Sequence, residues 1–392
     1  MASGGLGLRD VLTPVRTQLR RSAFLLGDVC GVDLDARTVD VEHALLGGHI
    51  AVKYDQLVLA LGSVTSTFGL SGVAERALPL KTIEDAARLR NRVITMLELA
   101  DAAGDAAVRR RLLTFVFVGG GFTGVEAAGE MVGFFTSVRR FYRTIGAGEI
   151  RVVLVEGGPR LLPDLDPKMG EYAARFLARR GVEIVLGDRV TGVDEAGLHL
   201  ASGSAFDAET IVWSAGVKPP GLIAKLPLPA VRGAVVVAED MSVPGHPGLW
   251  AIGDCAAIPD GRGGHFPATA QHAIREGPAL ARNLAALLRG RPTKPFAYKT
   301  MGMMASLGGR RAVIGLPGGR ILTGFVAWFV WRTYYLLRLA GLDRKLRVAF
   351  GWTLDLVFPR DISELRLYSP LSRERAAQDS GLLAAKTPPT AD

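Results

Sequence analysis

The stretch FVFVGGGFTGVEAAGE, Phe115 to Glu130, constrains this chain more than any other. Its apolar, β-branched start predicts a buried strand. Gly119, Gly120, Gly121 and Gly124 follow at once, and helix formers take over after them. Gly119, Gly121 and Gly124 have G-x-G-x-x-G spacing. Alone that spacing is a weak signal, but between a strand and a helix it marks a dinucleotide-binding turn. Glycine permits the tight turn and lets the backbone approach a pyrophosphate, which then rests at the positive helix N-terminus. Such a turn ordinarily opens its domain. Here more than a hundred residues precede it.

Those residues read as a short helix over Leu8–Arg21, with Pro14 inside its early turns, and then as hairpin strands in "DVCGVDLDARTVDVE". In "YDQLVLALGS" the apolar core Leu57–Leu61 predicts a buried strand that stops at Gly62-Ser63. Thr82–Ala103 predicts a helix with Thr82 as its N-cap. After the glycine turn come a strand ending at Glu156, a helix and strand in "PKMGEYAARFLARRGVEIVLG", a strand before Ala215-Gly216, a strand before Gly253-Asp254, and a long helix from Thr269. Strands alternating with helices give an α/β class with parallel sheets.

An acid at the end of the second strand accepts hydrogen bonds from the adenine ribose of NAD and repels the extra phosphate of NADP. Glu156 holds that place, although it lies further from Gly119 than the usual ~20 residues. The excess fits a lengthened helix through "MVGFFTSVRRFYRTIGAGE", and Arg160 nearby weakens the preference for NADH. Asp254 follows a buried strand and Gly253, where a carboxylate either accepts from a polyhydroxyl chain or caps the turn. The two cysteines, Cys30 and Cys255, form no close pair, which excludes a dithiol redox centre and fits a reducing compartment. The histidines show no metal-ligand spacing, so no metal is expected. The net charge of +9 admits an anionic surface, but no basic run interleaved with aromatics points to nucleic acid. The N-terminus has no secretory signal pattern.

The segments "GGGFTGVE", "VEGGPRLLP", "VWSAGVKP", "LWAIGDCA" and "AQHAIREG", in this order, resemble the flavoprotein pyridine-nucleotide oxidoreductases. With "YDQLVLALGS", "LKTIEDA" and the aromatic C-terminal region, the chain resembles more closely the type II NADH dehydrogenases, single-subunit, non-pumping NADH:quinone oxidoreductases. The resemblance implies FAD and NADH as cofactors and a membrane quinone as acceptor. Gly119, Gly120, Gly121, Gly124 and Glu156 would hold NADH, Ala215 and Gly216 would flank the nicotinamide, and Glu126 would lie near nicotinamide and flavin as a catalytic residue. Gly62, Gly253 and Asp254 would hold FAD. Ala270 and Gln271 would sit at the flavin edge where quinone docks, Gln271 as a second catalytic residue, with Gln271, Arg275 and Glu276 as the quinone residues.

Two departures stand out. Arg275 replaces a glutamine common in the family, which bears on the acceptor. The family also begins with a strand, a first G-x-G-x-x-G and a helix. That unit is missing here, so the turn at Gly119 is expected to be the second of its kind and FAD binding to be weak. The expected fold is α/β with two dinucleotide-binding (Rossmann-like) domains, the FAD domain lacking its first βα unit. Its parts are residues 1–107 and 238–320 for FAD, 108–237 for NADH, 321–367 as a C-terminal amphipathic helical membrane-association region, and 368–392 as a disordered tail.

Between Ile321 and Arg360 the chain has three tryptophans and six Lys/Arg against two Asp. Apolar bulk beside cationic heads predicts a peripheral anchor lying in the interface, here on the cytoplasmic face of the cell membrane. Ile321–Gly341 is about the length of a span, but Arg332 would sit near its centre at a cost of about 2.5–3.5 kcal/mol. The same helices also suit a homodimer contact. Two other readings stay open: a soluble NADH-dependent flavin reductase serving a ferredoxin-like acceptor, and an inactive remnant.

Overall fold

The computed structural model describes residues 12–19, 21–43, 47–146, 148–299, 302–339 and 341–354. The start of the expected first helix, residues 355–367 and the expected tail lie outside them. The chain forms two compact units, one of Thr67–Ala215 with the described residues from Gly302 onward, the other of Thr13–Ser66 with Gly216–Met301.

In the first unit five parallel strands pair in the order Leu78–Pro79, Thr210–Trp213, Thr114–Val118, Arg151–Glu156, Val182–Leu186. Thr114–Val118 is buried along its whole length, as its unbroken apolar run predicts. The chain leaves it toward Arg151–Glu156 on one side and returns at Thr210–Trp213 on the other. That makes the carboxyl end of Thr114–Val118 the switch point where α/β sheets bind ligands. Helix Ile83–Ala102 opens with a capping box, Thr82 accepting from the Asp85 N–H while Asp85 accepts from the Thr82 N–H. It buries Leu89, Val93 and Leu97 in this unit's core beside Phe115 and Phe134. The units therefore divide the chain at points other than the motif boundaries 107/108 and 237/238.

The turn helix runs over Phe122–Val138 and gives way to a 3-10 turn at Arg139–Phe141, rather than continuing through the whole excess segment. Tyr142 is buried just beyond, with its hydroxyl donating to Glu98 at 3.0 Å, and this anchors the chain away from the helix axis. Strands Met303–Gly308, Arg311–Gly315 and Ile321–Thr323 form an antiparallel sheet against the turn helix. Two glycines let them meet. A Cβ on Gly129 would lie 2.3 Å from the Leu307 carbonyl oxygen, and one on Gly308 would lie 2.2 Å from the Gly129 oxygen. Arg180 closes the seam, donating to the carbonyl of Gly129 at 2.9 Å and of Leu307 at 3.3 Å.

The second unit has smaller sheets. Leu57–Leu59 and Leu249–Ala251 pair in parallel as two strands, where the first unit has five. Gly27–Asp33, Thr38–His43 and His49–Lys53 form an antiparallel meander. The core gathers Leu59, Met241, Trp250, Cys255, Ile258, Leu280 and Phe296. Pro14 stands before the short helix Val15–Gln18 as its N-cap, not inside it, where its missing N–H costs no helical bond.

Candidate functional site

In the first unit the glycine turn leaves the end of Thr114–Val118 at Gly119, whose φ of 108° only glycine adopts without strain. A Cβ on Gly124 would lie 1.8 Å from the Gly119 oxygen, so helix and turn meet backbone to backbone. Gly121 faces open space. Ser214 bridges to the neighbouring strand, its N–H and its hydroxyl each donating to the Val118 carbonyl at 2.9 Å. Glu156 stands at the mouth of the turn. Its carboxylate accepts from the Gly120 N–H at 2.5 Å and the Gly158 N–H at 2.6 Å. Each oxygen keeps further lone pairs for a hydroxyl ligand. Arg160 donates to the carbonyl of Pro163 at 2.7 Å. These residues fit an NADH adenosine: an open glycine cradle with a fixed carboxylate beside it.

Glu126 lies one turn into the same helix and accepts from the Ser306 N–H at 2.8 Å. Withdrawal from water pushes its carboxyl up to about 7, against the Ser306 bond, which lowers it, and with help from the charge of Glu130. Ser306 is an unforeseen partner, supplied by the strand that the Gly129–Gly308 contact brings against the helix.

In the second unit Leu57–Leu59 and Leu249–Ala251 end side by side at Gly62-Ser63 and Gly253-Asp254. The Ser63 hydroxyl donates to the Asp254 carboxylate at 2.6 Å, a contact between residues 191 positions apart that no local motif announces. Gly62 has a φ of 64°, and a Cβ there would meet nothing within 4 Å. Gly253 has a φ of 73° and donates its N–H to Glu276 at 2.7 Å. Glu276 is buried, and desolvation raises its carboxyl. Its carboxylate braces the Gly253 turn. An open glycine position, a carboxylate and a helix that starts without a side-chain cap at Thr269 fit the polar part of a flavin nucleotide.

Helix Ala270–Leu287 carries the remaining residues. Arg275 folds back along it, donating to the Gln271 carbonyl at 2.6 Å and lying 4.2 Å over the ring of Tyr298. The Tyr298 hydroxyl donates to Gln271 Oε1 at 3.2 Å. The His272 ring meets Tyr298 edge-on at 5.3 Å and pairs with Thr269 Oγ1 at 2.8 Å. Burial and the Arg275 charge lower its imidazole. Residues 294–298 reach this face because Asn283 binds the Asp240 and Lys294 carbonyls and accepts from the Lys294 N–H.

At the end of the first unit, helix Gly324–Arg338 buries Ala327 against Ala312 and Ile314 and leaves Phe325, Val326, Phe329 and Leu337 exposed. Helix Leu342–Leu354 exposes Leu342, Leu346 and Phe350. Arg332 sits between them, 4.7 Å from the Trp328 ring and 4.1 Å from the Trp352 ring. Among the described residues no helix is long and apolar enough to cross a membrane.

Residues 9–277 match the family model of the pyridine nucleotide-disulphide oxidoreductases, and residues 301–361 match the NDH2 C-terminal domain. The type II NADH:quinone oxidoreductase Ndh of Mycobacterium tuberculosis is 34% identical over 376 residues, 92% of this chain and 80% of that protein. The mitochondrial internal alternative NAD(P)H-ubiquinone oxidoreductase A1 of Arabidopsis thaliana is also 34% identical, with 92% and 77% covered. In fold, the chain is similar to the structure of NDH2 from Plasmodium falciparum in complex with NADH. The TM-score is 0.86 at 20% identity, with 92% of this chain and 90% of that one covered.

Proposed function

From the premise that this chain belongs to the type II NADH:quinone oxidoreductases, within the pyridine nucleotide-disulphide oxidoreductases, we propose that it oxidises NADH and reduces a membrane quinone without pumping protons. Two electrons and two protons reach the quinone, one proton arriving with the hydride of NADH and the other from the medium. FAD held at these residues would supply the two-electron redox chemistry that links NADH to the quinone. The residues supply seats and proton control.

The carboxylate of Glu156, pinned by Gly120 and Gly158, carries the reading for NADH. Gly119, Gly121 and Gly124 shape the pyrophosphate seat, and Ala215 and Gly216 flank the nicotinamide. On the flavin side Asp254, aligned by Ser63, accepts from the ribityl chain. Glu276 braces the Gly253 turn, and Ala270 and Gln271 form the acceptor edge. Glu126, holding a proton near neutral pH, is the group suited to exchange one with the reacting centre. Residues 108–237 then act as the NADH-binding part, with FAD served from both flanking segments.

The two C-terminal helices bind the cytoplasmic face of the membrane peripherally. Their exposed Phe329, Leu346 and Phe350 enter the interface, while Arg344, Lys345 and Arg347 stay at headgroup level. A homodimer would use the same apolar face. Purified protein mixed with NADH should lose its oxidised-flavin absorbance and regain it when a short-tailed quinone is added. A flavin that NADH reduces but quinone does not reoxidise would overturn the acceptor.

A further inference from the structure

We propose that Tyr298 orients the Gln271 side chain for the quinone. This rests on the placement of the acceptor edge at Gln271 above. A side-chain amide has a donor end and an acceptor end, and only the donor end serves a quinone carbonyl oxygen as negative charge builds on it. Left alone, the amide can turn either way. The Tyr298 hydroxyl donates to Gln271 Oε1, which fixes the oxygen toward the tyrosine and turns the N–H groups away from it.

At 3.2 Å that bond is long for O–H···O, so the confinement of the phenol matters as much as the bond itself. The phenol is confined on several sides. The Arg275 guanidinium covers one face of the ring at 4.2 Å, and the His272 ring stands edge-on at 5.3 Å. Asn283 ties Lys294 to the helix, and the Phe296 N–H donates to the Glu239 carbonyl at 2.7 Å, so the backbone on the N-terminal side is held. Arg275 also donates to the Gln271 carbonyl, fixing the main chain of the residue whose side chain Tyr298 fixes. A cation over a phenol ring is attracted by the ring's negative face, which holds the ring in place. Arg275, which looks from the sequence like an altered acceptor contact, thus acts through Tyr298. Tyr298 and Arg275 are positioning residues, and Gln271 is the one that touches the acceptor.

The test uses holoprotein and decylubiquinone. Tyr298→Phe removes one oxygen and keeps the packing. It should raise the quinone KM, and the Kd for decylubiquinone measured without NADH, about tenfold. It should leave the NADH KM and the rate of flavin reduction by NADH unchanged. Arg275→Gln should raise the same two quinone constants by a smaller factor. Tyr298→Phe added to Gln271→Ala should change nothing further, since the residue being oriented is gone. Quinone constants unmoved by Tyr298→Phe but raised by Gln271→Ala would overturn the proposal, as would effects that multiply in the double variant. Quinone constants unmoved by Gln271→Ala would overturn the acceptor placement itself, and the proposal with it.

Discussion

Ser306 donates its backbone N–H to the carboxylate of Glu126 across 2.8 Å, joining residues 180 positions apart. The bond favours the charged carboxylate, yet desolvation outweighs it and the carboxyl titrates at about 7 instead of 4.5. A carboxyl raised in this way holds its proton more tightly folded than unfolded. Its contribution to stability is greatest below pH 4.5 and is lost as pH climbs through 7. The loss is about 3 kcal/mol. Glu126→Gln should therefore flatten the fall in denaturant midpoint between pH 5 and pH 8. Identical pH slopes for the two proteins would refute the raised carboxyl.

Gly129→Ala tests how that pair is built. The added Cβ would sit 2.3 Å from the Leu307 oxygen, backbone that cannot rotate away. Helix and strand must separate, at a cost of about 1–3 kcal/mol. Thermal unfolding should show a lower Tm, and the pH slope assigned to Glu126 should steepen as Ser306, whose N–H favours the charged carboxylate, withdraws. An unchanged Tm would mean that the seam is looser than its glycines indicate.

Glu156→Ala should narrow the ratio of kcat/KM for NADH over NADPH, chiefly by raising the KM for NADH about tenfold or more. Two backbone N–H groups lose their acceptor together with the ribose, so the turn itself slackens. Steady-state rates with both nucleotides measure it. A ratio that stays put would remove Glu156 from the nucleotide seat.

Phe329→Glu with Phe350→Glu should cut partition onto anionic lipid vesicles at least tenfold, because each buried aromatic contributes about 1.5–3 kcal/mol. Both positions are well exposed, so the fold has little to lose. Flotation with vesicles gives the partition directly. Retained binding would place the attachment on another surface.

The parts of this chain that sequence made legible are those whose meaning is local. The glycine spacing, the Thr82 cap and the buried run Thr114–Val118 each depend on residues a few positions apart. What stayed hidden depends on distant approach. Tyr298 meets Gln271 only because Asn283 tethers the intervening loop, and Ser306 meets Glu126 only because two glycines let a strand touch a helix. Charge alone makes Arg275 an acceptor contact and Arg332 an obstacle to burial. Both in fact lie over aromatic rings, a geometry that composition does not announce. The motif sets Glu276 at the acceptor edge, and only the fold shows that its buried carboxylate also takes the Gly253 N–H.

The buried brace from Glu276 also sets how this protein meets its ionic surroundings. Dissolved ions weaken attraction between charges that water can reach, over a Debye length of about 8 Å at physiological strength, and scarcely touch a buried hydrogen bond. The brace on the Gly253 turn is of the second kind, while exposed Arg347 and partly exposed Arg344 and Lys345 on the last helix are of the first. On the proposed attachment, concentrated electrolyte should thus loosen the hold on charged lipid while the turn beside Asp254 keeps its shape, making attachment adjustable and the proposed flavin seat indifferent to the medium.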